Sequence, residues 1–198
     1  MGVEKRMADR CNTIRLYSFQ TDVVYQVLKR DGVCYSKEEY VRKKYKESAK
    51  VFINAYGWFV KEAQHIVPKP EGAEYPYWAF TDLYNVDQSG EGHVLTLDVP
   101  IGEAILFDMF DWTKIMQMHY IGENESEEAT FSEELKNMGM NEFQIMTSNF
   151  YPEQKARIQE SWKRLFYHQQ AIEAGDNSGV HSVQAGLWCI KDEWIVKE

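Results

Sequence analysis

Three stretches far apart in the chain carry the residue pattern of strands, and what lies between them constrains the fold most. Ile14–Phe19 alternates β-branched or aromatic residues with others, His93–Val99 alternates up to Pro100, and Val183–Ile190 forms a third run near the end. Tyr77–Thr81, after Pro76, adds an aromatic strand, and Val33–Tyr35 and Ala104–Phe107 add shorter ones. The helical signals between them come irregularly. Thr21-Asp22 opens a helix to Arg30 with Gly32 at its C′ position, and Ser36-Lys-Glu-Glu39 reads as a capping box for a charged helix to about Lys50. Apolar residues from Phe52 to Ile66 then recur at helical spacing until Pro68, as one helix or as two with a break near Ser48. Asp108 caps a helix over Met109–Ile121 closed by Gly122, Glu123–Glu134 reads as a loop with a short helix, and Pro152 stands at N1 of a helix to about His168. There is no regular strand–helix–strand rhythm. The expectation is therefore α+β, with small, mostly antiparallel sheets in one domain over residues 13–198, behind a flexible N-terminus of residues 1–12. A chain of 198 residues, 44% hydrophobic and 14% aromatic, is long and apolar enough to bury such a core.

Charge is unevenly placed. The formal net charge is −9, and Pro70–Thr113 accounts for all of it, with nine carboxylates and no Lys or Arg. That balance disfavours non-specific binding of duplex DNA, whose affinity comes mostly from neutralising phosphates. An anionic ligand would have to be gripped outside this segment. The opposite bias lies in Lys37, Arg42, Lys43, Lys44, Lys46 and Lys50, set against Glu38, Glu39 and Glu47 with Tyr40 and Tyr45 interleaved. A solvated helix face is the simpler reading of that run, and an RNA contact through Lys43 and Lys44 the sharper one.

Other classes are disfavoured by what the chain lacks. Its apolar runs fall far short of the ~18 residues that span a bilayer, and Met1–Asn12 has no apolar core of a signal peptide. Cys11, Cys34 and Cys189 are odd in number and contain no CxxC, so a reduced, cytoplasmic protein away from membranes is expected. Five histidines form neither HExxH nor a close pair, so no metal site is expected. Walker A, GxGxxG and GxSxG motifs are also missing from the sequence. Cys189, between Trp188 and Ile190, and the six tryptophans read first as core residues.

Certain residue groups are nevertheless distinctive in order and spacing. They are Leu16-Tyr-Ser-Phe-Gln20 with Gly32, then Ala55-Tyr-Gly-Trp58 and Tyr75-Pro-Tyr-Trp78, then Val94–Pro100, Ile105-Leu-Phe-Asp108, Trp112, Trp162, Val183-Gln-Ala185 and Trp188. From about Ile14 onward this series resembles a bacterial family catalogued as domain of unknown function 3841, which brings no established activity. The opening strand, helix and glycine are also similar to the start of ADP-ribosyltransferase-like folds, and the closing Val183-Gln-Ala-Gly-Leu187 resembles the last-strand motif of a related uncharacterised family grouped with them. In those folds a first-strand His or Arg and a later aromatic or hydroxyl residue hold NAD, and a late-strand acid stabilises an oxocarbenium-like ribose. The similarity implies NAD or a related nucleotide in a cleft between the sheet and the helix around Tyr56. Arg15 would meet the pyrophosphate, Tyr77 or Trp78 would hold the nicotinamide side, and Tyr17, Gln20 and Gln184 would be the catalytic candidates. Gln184 departs from the pattern because it is neutral, so the charge that would stabilise a ribosyl cation is missing. Two non-enzymatic alternatives stand beside this one. The first is a ligand- or RNA-binding module; the second is an interaction protein of a defence or toxin–antitoxin system whose acidic segment meets a basic partner.

Overall fold

A computed structural model describes residues 12–45 and 49–197, with the backbone alone for 43–45 and 49–51. The chain runs β1 (Thr13–Gln20), α1 (Asp22–Asp31), β2 (Val33–Tyr35), α2 (Glu38–Tyr45), α3 (Ala49–Ala63), β3 (Tyr77–Phe80), β4 (His93–Pro100) and β5 (Ile105–Asp108). It continues with α4 (Met109–Met116), α5 (Glu125–Asn137), α6 (Glu142–Thr147), α7 (Pro152–Ser161), α8 (Gln169–Glu173), β6 (Val183–Leu187) and β7 (Cys189–Lys191). The main sheet has the order β4-β1-β3-β6-β5 with every neighbour antiparallel, and β2 pairs with β7 in a second, two-stranded sheet. This is the α+β architecture expected from the strand and helix signals.

Alternation along each strand sends its side chains to two different cores. One face carries Leu16, Tyr77, Ala79, Leu97, Leu106 and Ala185, and packs against Leu28 of α1, Cys34 and Cys189 of the small sheet, and Trp194. The other face carries Ile105 and Phe107 and packs against α3 and α4 through Tyr56, Phe59, Trp112 and Ile115. The second core holds most of the aromatic residues. Phe59 lies edge-on to Trp78, Phe107 and Trp112 at centroid distances of 5.1, 5.6 and 5.4 Å, the offset geometry ring quadrupoles favour. Its fit to the sheet is close: a Cβ on Gly186 would stand 2.8 Å from the Phe59 ring.

Several element boundaries differ from their sequence signals, each for a local reason. Gly32 does close α1 in the left-handed region, at φ 75°. Ser36, by contrast, is drawn into a bridge with Tyr75, and the Glu38 N–H at the start of α2 is satisfied by Glu74 at 2.8 Å. The break near Ser48 lies outside the described residues. The helix after Asp108 ends at Met116 rather than at Gly122, because Met118 adopts φ 64° and turns the chain. The acidic stretch from Glu123, which reads as a loop with a short helix, is almost wholly a 13-residue helix, α5, capped by Asn124. The expected helix to His168 becomes a 3-10 turn from Trp162. The final run divides at Trp188 between the two sheets, and the Trp188 indole N–H donates to Val67 O at 2.7 Å.

Candidate functional site

The strand register places several of the singled-out residues on one face. Thr96, Tyr17, Phe80, Gln184 and Phe107 form a lateral row across all five strands. Arg15 stands two residues from Tyr17 on the same face of β1, and Trp78 two residues from Phe80 on the same face of β3. Helices α3 and α4 cover only part of this face. Phe107 and Gln184 are buried, whereas Tyr17, Phe80, Thr96 and Trp78 are half-buried and Arg15 is exposed. The β3–β4 loop closes one end, where Gly92 and Gly90 lie so near the Phe19 ring that a Cβ would stand 3.0 and 3.4 Å from it. What remains is a strip of sheet beside the helical layer. Tyr17, Phe80 and Thr96 form its floor, Trp78 and Gln184 its inner edge, and Arg15 its outer end.

Gln184 is the informative residue of this strip. It is only 3% exposed, yet its amide has no hydrogen-bond partner among the described residues. No fully enclosed side-chain nitrogen or oxygen there lacks a partner, so the amide must lie at the residue's small remaining opening. A buried amide without partners is costly, and buried polar groups are almost always satisfied. Trp78 is placed differently. Its indole N–H donates to the Tyr56 hydroxyl at 2.9 Å, its ring lies 4.7 Å from that of Trp112, and helix α3 thereby fixes its orientation. Arg15 forks onto Asp98 at 2.6 and 3.1 Å, in a pair half open to solvent. Such exposed pairs are weakly held, and a phosphate can take the place of the carboxylate.

Two of the expected residues point elsewhere. Gln20 lies on the other face of β1 and its amide donates to Ser18 Oγ at 2.8 Å, while Ser18 donates to Trp78 O at 2.7 Å. Tyr77 also faces the opposite core, with its hydroxyl 3.1 Å from Cys34 Sγ. Burial pushes the Tyr77 phenol well above its usual range, and contact with Cys34 adds to the effect. The register thus separates the Tyr77 and Trp78 alternatives: Trp78 shares a face with Tyr17 and Gln184, and Tyr77 does not. Phe80 and Trp112 belong to the arrangement although neither was singled out as a site residue. Phe80 could have been found by alternation from Trp78, whereas Trp112 arrives from a helix and only tertiary packing brings it there. The Lys43 and Lys44 side chains lie outside the described residues.

Other polar groups are committed to holding the fold. Asp108 caps α4 through Phe110 N–H at 3.0 Å and accepts from the His181 backbone N–H and ring Nδ1, each at 2.9 Å. Burial alone would push its carboxyl up, but these hydrogen bonds and that of Ser182 N–H outweigh burial and hold it below the usual value. Two surface hollows sit in the helical layer away from the strip. The first is lined in part by Tyr120, Phe131 and Arg157, and there Arg157 forks onto Glu134 while Tyr120 donates to Glu127. The second lies between Ile66 and Tyr167.

The family model for domain of unknown function 3841 matches residues 15–196, and the chain belongs to that family. No curated protein and no solved structure matches the chain.

Proposed function

We propose that this domain binds a nucleotide-type ligand along the strip between Arg15 and Gln184, with NAD the species that the similarity to ADP-ribosyltransferase-like folds implies. The observation that carries the reading is the Gln184 amide, almost wholly buried and without a hydrogen-bond partner among the described residues. The row geometry suits a planar ligand. Strands lie about 4.8 Å apart, so Tyr17 and Gln184, two strands apart, span about 10 Å, with the Phe80 ring between them. An aromatic base or nicotinamide would lie over Phe80 beside Trp78, Gln184 would hydrogen-bond an amide or hydroxyl of the ligand, and Arg15 would exchange Asp98 for a phosphate. Because Gln184 is neutral, it binds and orients but adds no negative charge to stabilise a ribosyl cation. The function is accordingly one of binding.

Thermal denaturation with and without NAD tests this. Ligand at a hundred times its dissociation constant adds about 2.7 kcal/mol, which in a domain of this size raises Tm by roughly 5–10 °C. The expected result is such a shift with NAD, lost in Gln184→Leu, and no nicotinamide released. Absence of any shift at millimolar NAD and ATP removes the reading.

A further inference from the structure

We infer that the end of the sheet where the Leu83–Asn85 turn meets the start of α4 docks a basic protein segment bearing an apolar anchor. This surface shares the β3–β4 loop with the ligand strip but none of the residues that form the strip's floor, inner edge or outer end. Tyr84 is 93% exposed, Leu83 45% and Phe110 51%, whereas large apolar side chains elsewhere on the sheet are mostly buried. The turn that presents Tyr84 is held firmly. Asp82 Oδ1 accepts from Tyr84 N–H at 2.8 Å, Asn85 Nδ2 donates to Ser182 Oγ at 2.7 Å, and the following Val86 is buried. On the other side of the 181–182 segment, the Phe110 ring lies 5.0 Å from that of His181, which Asp108 fixes. The apolar groups therefore flank one rigid segment. A turn whose backbone is already held loses little main-chain freedom on binding, and tyrosines are common anchors of interfaces.

Charge selects the partner. Of the nine carboxylates between Pro70 and Thr113, Glu74, Asp98, Glu103, Asp108 and Asp111 are met by Lys37, Arg15, Lys191, His181 and Lys114. Asp82 and Glu91 have no ion-pair partner among the described residues. Both are exposed, in the loop that carries Leu83 and Tyr84. A nucleic acid or an anionic membrane would be repelled from this loop, and a Lys- or Arg-rich segment drawn to it.

The test is selection of a random peptide library, displayed on phage, against the full chain at low ionic strength. The expected peptides carry Lys or Arg around an aromatic or branched residue and weaken as salt rises from about 50 to about 300 mM. They lose about tenfold or more in affinity for Tyr84→Ala/Phe110→Ala, and separately for Asp82→Asn/Glu91→Gln, each variant being checked for an unchanged circular dichroism spectrum. Peptides without a basic excess, peptides that bind either variant as tightly as the parent chain, or no enrichment at all would overturn the proposal.

Discussion

Asp108 shows how much one side chain can hold in this fold. A single carboxylate caps α4, anchors the backbone of His181 and Ser182, and receives the His181 ring. Asp108→Ala removes the cap and leaves partly buried N–H groups without this acceptor, at an expected cost of about 1–3 kcal/mol measured by urea unfolding at pH 7. The pH dependence has a definite sign. A carboxyl depressed in the folded state contributes stability that is present above its ordinary value of 3.8 and is lost as pH falls through the folded value. The difference between parent and Asp108→Ala should therefore persist down to about pH 4 and shrink below it; a difference that stayed constant into acid would count against this account. The capping role of Asp108 was legible in the sequence, because an Asp before a helical run is a strong signal. Its hold on His181, 73 residues away, was not. Likewise Arg15, Tyr17, Trp78 and Gln184 could be listed from the chain, but only the strand register adds Phe80 and Thr96 to them and separates off Gln20 and Tyr77.

At the scale of elements, strands were easier to read than helices. β1, β4 and β3 emerged from alternation close to their observed bounds because each has one face in a core and another partly open. Helix α5 was concealed by its composition: Phe131 and Leu135 are its only buried residues, so a largely acidic, solvated face masks the apolar period. The division of the last run at Trp188 was hidden too, since β6 is buried along its whole length and shows no alternation. The contact of β6 with α3 gives a direct prediction. Gly186→Ala would drive a Cβ to 2.8 Å from a Phe59 ring that is itself fully enclosed, so the ring cannot easily move aside. The expected loss is about 1–3 kcal/mol, with much of it recovered in Gly186→Ala/Phe59→Leu. Additive losses in the double variant would mean that the two side chains do not share the space.

At the scale of the whole molecule, both cores use the same sheet, and neither can form without it. Trp194 lies in the core beneath α1, and Trp112 and Trp162 lie in the aromatic core beneath α3 and α4. Unfolding should then be a single transition. Phenylalanine replacement of the tryptophans of one core should leave the fluorescence of the other reporting the same urea midpoint as far-ultraviolet circular dichroism. Two separated midpoints would show that the faces melt independently. The acidic middle segment does not form a unit of its own. Arg15, Lys37 and Lys191 reach it from β1, from the start of α2 and from β7, so much of its charge is matched within the molecule.

The strand order also dictates when the sheet can come into existence. β1 is made first but lies between β4 and β3, and β3 is completed only by β6. Leu16 must wait roughly 80 residues for Leu97, and Phe80 more than 100 for Gln184, separations over which loop closure is slow. On the ribosome, therefore, the first half of this chain emerges with three of the five strands, β4-β1-β3, and no finished core. The apolar edge of β3 stays exposed until β6 is synthesised more than 100 residues later, a window in which an unpaired strand edge is open to wrong pairing.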